Sequence, residues 1–539
     1  MRLHYLAIVF PVCATAASAQ AVRDAGSIAR DLTTTGSRDV VPANEIVAPS
    51  VQRAVEPTII SDGLMIGAVN VEGAPSLPRK VFAAAISDYL GKQASTQDLQ
   101  GLAKAVASIA RDRGYVFATA IIPPQTIEAG MVTVRIDEGD IALVRLIGSR
   151  NTRLQRTLDL IVGRGVRREV LERQLLLAGD IPGIAIVTTN LVREDIGNVL
   201  VVEVRESHGN GSAGIDNYGS RELGPVRARL RYDFIGLADE GDVLSVQVVA
   251  TPVDPRQLAY LSARYAASVG TGGTQIAVTG AVGRAEPSKS GVVSTSSFTS
   301  VSVTTPLKRA NGTSVWASAE IGVLRVDGTY NGTPDQRDSM AVATGWIYAT
   351  TRTGIGRLSG ALGLTRGLAL GGTTGVGDPR ASRLDASGVF TKGFFWADWV
   401  QPLGRGFTVK LAANGQIADR PLLAAQEIGL GGPTFGRAFD FSERFGDSGF
   451  MASGELRWRL QKPVRWIDWV EPFAFVDAGR VWNLDGGYGS GDLKSAGAGV
   501  RATLGKFQLS VEAAVPVAST RAATSNKSPR LSVSVERRF

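Results

Sequence analysis

The residue types that usually carry chemistry are scarce in this chain. It has one cysteine, Cys13, and two histidines, His4 and His208. A single thiol near the N-terminus supports neither a disulfide framework nor a thiolate metal site. Two histidines build no His-rich metal centre and leave little for proton transfer near neutral pH. His208 stands in a Gly/Ser/Asn-rich stretch and reads as a solvated loop residue. No G-x-S-x-G elbow, phosphate-cradling loop or metal-spaced cluster occurs. The chain is therefore expected to be no enzyme and to need no metal or cofactor.

The chemistry that remains is ion pairing. Residues 422–440 are glycine-rich and aromatic and hold one cation, Arg437. Phe435, Phe439, Phe441 and Phe445 have no reason to sit in a solvated loop, so the loop at about 421–448 is expected to fold inward. A buried guanidinium needs an acceptor, because an unpaired buried charge is very costly. Asp477 is the only carboxylate between Pro472 and Val481. Arg437 and Asp477 are expected to approach within about 4 Å. The acids Asp440, Glu443 and Asp447 read as surface or pairing charges rather than an acid/base set.

Such a pair needs a scaffold, and the chain divides into four parts. Arg2, the apolar run at 6–12 and the small residues ending at Ala19 read as a secretory signal peptide over 1–19. Residues 20–63 read as a linker, with a short helical pattern at 24–32. A strand, two helices and two strands are predicted over 64–139, and the same order repeats over 140–206. The second helix of the first unit opens on Ser95 with Asp98 three residues later, a capping-box spacing.

From 207 to 539 the helical period vanishes. Sixteen alternating segments are predicted, among them ones beginning near Met340 and Ser382. In the last, Leu531, Val533, Val535 and Phe539 fall on one face, and Ser532, Ser534, Glu536 and Arg538 on the other. One face suits lipid and the other a wet interior, as in an antiparallel membrane β-barrel. Trp396, Trp399, Trp458, Trp466, Trp469 and Trp482 suit its interface girdles. The net charge of +8 reads as solvated faces and pore lining, with no nucleic acid implied. A β-sandwich, a propeller and a passive porin are the competing architectures.

The motifs then carry a resemblance. The loop reads Leu430-Gly431-Gly432-Pro433, then Arg437-Ala438-Phe439, then Gly446-Asp447-Ser448-Gly449, and a later segment carries Phe475, Asp477 and Gly479. Together these resemble the TpsB transporters of two-partner secretion, the ShlB/FhaC/HecB family of haemolysin secretion/activation proteins. Ala438 stands where the family has glycine. The resemblance implies two periplasmic POTRA domains before a sixteen-stranded outer-membrane barrel, the loop inside it and, in some relatives, an N-terminal helix plugging the pore. It implies a transporter that captures an unfolded TpsA-type exoprotein (a haemolysin, adhesin or toxin-like protein) and passes it to the cell surface without ATP. Outer-membrane lipid and the barrel-assembly machinery are the other implied partners. The implied roles are a loop–barrel lock at Arg437, Phe439 and Asp477, supported by Gly431, Gly432, Pro433, Phe475 and Gly479, and an insertion signal at Phe539. A barrel-assembly insertase of the same superfamily shares these motifs and remains the alternative.

Overall fold

A computed structural model describes residues 64–125, 129–522 and 524–539. The expected signal peptide, linker and short helix lie outside the described residues. Two small α+β units come first. In one, β1 (Ala68–Glu72), α1 (Ala83–Ser87), α2 (Thr96–Asp112), β2 (Thr119–Ile121) and β3 (Met131–Asp137) follow in order. The sheet order is β1–β3–β2, with β1 parallel and β2 antiparallel to β3. The capping box forms: Ser95 accepts from the Asp98 amide and the Asp98 carboxylate accepts from the Ser95 amide. These bonds hold the Asp98 carboxyl below its ordinary range. Behind the cap, Leu99, Leu102, Val106 and Ala110 recur at helical spacing and pack on Val132, Val134 and Ile136 of β3.

The second unit repeats the pattern with β4 (Leu143–Ile147), α3 (Thr152–Asp159), α4 (Arg168–Gly179), β5 (Ile184–Glu194) and β6 (Gly197–Glu206), ordered β4–β6–β5. The two are not independent beads. Phe117 of the first unit is buried in the core of the second, beside Leu154, Leu171 and Val202. Gly165 of the second unit also donates its amide to the Gly139 carbonyl at 2.8 Å.

The rest closes into a barrel. Its strands are β7 (Gly209–Asp216), β8 (Arg227–Ile235), β9 (Asp242–Ala250), β10 (Leu258–Val269), β11 (Thr274–Ala285), β12 (Val292–Arg309), β13 (Thr313–Tyr330), β14 (Thr333–Thr353), β15 (Gly356–Leu368), β16 (Thr391–Gly404), β17 (Phe407–Ala418), β18 (Ser448–Trp458), β19 (Ile467–Trp482), β20 (Gly491–Leu504), β21 (Phe507–Pro516) and β22 (Arg530–Arg538). Leu460–Val464 continues β18 along β19. The barrel thus has sixteen antiparallel strands among the described residues, and β22 pairs with β7 to shut it. Closure satisfies every ladder without a free edge, which a strand-built membrane span requires. No described helix is long and apolar enough to cross a membrane. Leu230, Leu261, Val282, Ile321, Leu362 and Leu364 point outward and stay exposed, the composition of a lipid-facing band.

Three expectations change. The strand expected near Met340 begins at Thr333, because β13 and β14 run past the rest of the wall as a long hairpin. The strand expected near Ser382 begins at Thr391. Ser382 lies instead in the connection 369–390, where its amide donates to Asp338 at 2.9 Å and its hydroxyl accepts from the Ala424 amide at 3.0 Å. That stretch alternates like a strand, but its partners are loops. Trp396 is no girdle residue either. It shares a face with Lys392, which reaches the inward loop, and its ring packs at a tilt against that of Tyr348, 5.6 Å between centres.

The seam between β22 and β7 ends on Phe539. Its amide and carbonyl both bond to Gly211, at 3.0 and 2.9 Å, and its ring lies across that glycine, where a Cβ would come within 2.5 Å of it. Deleting Phe539 removes the last rung of the closing ladder. Less folded barrel is expected in the membrane fraction, read by heat-modifiable migration on gels. Wild-type amounts would refute this.

Candidate functional site: the loop inside the barrel

The connection 419–447 leaves β17 at the end of the barrel away from the small domains and turns back into the lumen. Two seats hold it. Leu422, Leu423 and Ala425 pack on Leu324, Val326, Met340 and Val342 of β13 and β14, and on Phe390. Further along, Leu430, Phe435, Ala438 and Phe439 pack on Met451, Phe473, Phe475, Leu493 and Ala514 of β18 to β21. A two-stranded hairpin, Ile428–Leu430 with Arg444–Gly446, stiffens the stretch between. The loop therefore spans from one part of the wall to another.

Backbone geometry makes the turn. Gly431, Gly432 and Gly436 have φ of 116°, 104° and 73°, where only glycine is unstrained. A Cβ on Gly431 would meet the Asp440 carbonyl oxygen at 2.3 Å. Pro433 is exposed at the tip of this turn. Ala438 does not adopt positive φ, so an alanine is accommodated there.

Arg437 follows at once. Nε and Nη2 donate to the two Asp477 oxygens at 3.1 and 2.9 Å, and the Arg437 amide donates to Asp477 Oδ2 at 3.1 Å. Nη1 donates to Glu455 Oε2 at 2.7 Å, and Nη2 also to Ser453 Oγ at 3.0 Å. Ser453 and Ser495 hydroxyls donate to Asp477. Glu512 lies 4.0 Å away. The planar fork matches the carboxylate, and its burial makes these bonds strong but costly to break.

Beneath the guanidinium is a layered floor. Arg437 Cζ lies 3.3 Å from the centre of the Phe475 ring, and Arg501 Cζ lies 3.8 Å from that of Phe473. Phe475 is paired with Gly497 and Phe473 with Gly499 on β20. A Cβ on either glycine would come within 2.6 Å of the ring over it. Gly479 serves the same end, since a Cβ there would meet Leu430 of the loop at 2.7 Å. Arg501 and Arg457 then neutralise Glu455, each at 2.6 Å.

Phe439 is fully buried, and its carbonyl accepts from Arg530 of β22, which also pairs with Asp440 at 2.7 Å. Arg383 of the connection 369–390 bonds Glu427 and Asp447 at 2.7 Å each, and Asn483 at 3.1 Å. Asp447 also accepts from the amides of Leu422 and Leu484. Sequence reasoning missed Glu455, Ser453, Ser495, Glu512 and Arg383. The first four alternate with lipid-facing residues on β18, β20 and β21, which was the available signal. These groups position a loop; among the described residues no cluster has the make-up of a metal site.

Residues 197–502 match the family model described as haemolysin secretion/activation protein ShlB/FhaC/HecB, more than half of the chain. The chain belongs to the ShlB/FhaC/HecB family. Residues 64–139 match a POTRA domain of ShlB type. The heme/hemopexin transporter protein HuxB of Haemophilus influenzae is 25% identical over 173 residues, covering 31% of each chain. The match thus spans about a third of the length of these curated relatives. CdiB from Escherichia coli shares the fold with a TM-score of 0.72, at 17% identity over 95% of this chain and 98% of that one. CdiB from Acinetobacter baumannii follows at 0.65, with 13% identity over 95% and 97%. BamA from Haemophilus ducreyi lacking POTRA domains 1–3 reaches 0.52, with 13% identity over 88% and 100%.

Proposed function

We propose that this chain is an outer-membrane transporter of two-partner secretion. Its small domains stand in the periplasm, capture an unfolded exoprotein and deliver it to the barrel, which passes it to the cell surface without ATP. Family membership joined to one observation carries the reading: a ShlB-type POTRA unit precedes a barrel whose lumen holds a loop seated by Arg437. Arg437, Phe439 and Asp477 act as a lock between loop and wall, supported by Gly431, Gly432, Pro433, Phe475 and Gly479. Unpaired POTRA sheet edges suit an extended client, because they can accept an added strand. The client is a secreted TpsA-type protein, and Phe539 marks the chain for the barrel-assembly machinery.

The test is reconstitution. Proteoliposomes carrying the purified chain and no nucleotide receive an unfolded candidate exoprotein, encoded beside this chain, on the POTRA side. The client should become protected from protease added on that side. Entry of small solutes without the client would instead indicate a passive porin. Assembly of an added test barrel, with no client transport, would indicate an insertase.

A further inference from the structure

The second POTRA-type unit meets three consecutive barrel turns, and each contact is specific. In the turn between β8 and β9, Glu240 Oε2 accepts from the amides of Thr152 and Arg153 at 2.6 and 3.2 Å, and from the Thr152 hydroxyl at 2.7 Å. These are the first amides of α3, which have no partner inside the helix and carry the positive end of its dipole. Arg153 pairs with Asp239 of the same turn and donates to the Gly270 carbonyl of the next one at 3.0 Å. There, Gly273 leaves the room that Leu177 of α4 occupies: a Cβ would meet it at 2.6 Å. At the third turn, Arg309 donates Nε and Nη2 to the two oxygens of Asp180 at 2.8 and 2.7 Å. Its Nη1 bonds Ser314 at 3.0 Å, and its Cζ lies 5.3 Å from the centre of the Trp316 ring. The Arg309 side chain is 3% exposed.

Domains joined by short connections move relative to each other unless their interface prevents it. Here a two-pronged ion pair braced by a tryptophan, and a helix start held by a carboxylate, fix both ends of the helical layer. Phe117 then ties the first unit to the second. We infer that Arg309 and Asp180, aided by Glu240, are positioning residues that hold both POTRA-type units at one place beside the barrel mouth, so that the client is handed over in a single geometry. This rests on the transport reading above.

Spin labels test it on the full chain. The only cysteine, Cys13, lies in the expected signal peptide, so labels at Val187→Cys and Ile355→Cys have no background in the processed protein. Both sites are exposed, one on the second unit and one in a barrel turn. A narrow distance distribution is expected. Arg309→Asp and Asp180→Arg should each broaden it and lower secretion about tenfold or more, because losing one partner of a buried charge pair weakens the contact it holds. The double reversal should restore both. Glu240→Ala, on an exposed turn, should broaden the distribution to a smaller extent. Narrow distances in the single variants would overturn the inference. So would broadening without loss of secretion, or a double variant no better than the singles. If the unlabelled wild type exports nothing, the transport reading itself fails, and the distance data separate that case.

Discussion

Arg437→Ala is expected to unseat the loop while the barrel still forms. The change leaves Asp477 and Glu455 facing each other's charge, with Arg457 and Arg501 on Glu455 but only two hydroxyls and the backbone amide of residue 437 on Asp477. Removing one partner of a buried pair costs about 3–5 kcal/mol. The barrel's own ladders do not depend on it, so the cost falls on the seat. The loop should leave β18 to β21, single-channel conductance should rise, and export should drop about tenfold or more, since each 1.4 kcal/mol is a factor of ten. Arg437→Lys should restore part of this. An ammonium can reach one carboxylate but cannot copy the fork or lie flat on Phe475. A variant with wild-type conductance and export, or one with no barrel in the membrane, would count against the lock.

Deleting residues 64–139 is expected to abolish export with the barrel still inserted and closed. Among the described residues every ladder hydrogen bond of the barrel is made within 209–539, so the deletion costs the wall nothing. It does cost the second unit Phe117, and losing a buried phenylalanine destabilises by about 3–5 kcal/mol. Phe117→Ala in the full chain separates the two effects. It opens the second core without removing the first sheet. Export should fall to background in the deletion and only partly in Phe117→Ala. Undiminished export by the deletion would remove the capture role.

What could be read without coordinates followed from local rules. Ser95 and Asp98 announce a helix start because the bonds they make span three residues. Alternation along Leu531 to Arg538 announces a wall strand because period two is a property of the strand alone. That Arg437 needs a carboxylate follows from the cost of burying a charge. Which carboxylates surround it does not. Glu455 and Glu512 reach it only because β18 and β21 flank β19 and β20 in the closed wall. Arg383 is further removed, since its partners Glu427, Asp447 and Asn483 lie on two other connections. Ser382 shows the reverse error: local alternation was present, but the residues it would have paired with were loops.

The loop has two seats, an apolar one on β13 and β14 and one on β18 to β21 that adds the Arg437 ion pairs to apolar packing. A segment freed at one seat stays tethered by the other. Its return is then an intramolecular event, at an effective concentration of order millimolar for a short flexible tether. Contact formation in chains of about ten residues takes roughly 10–100 ns. Under the transport reading proposed above, the permeability barrier would be reset by diffusion of one short tether, on a timescale far below that needed for a long client to pass. Leakage of small solutes would be confined to the interval in which a client occupies the path.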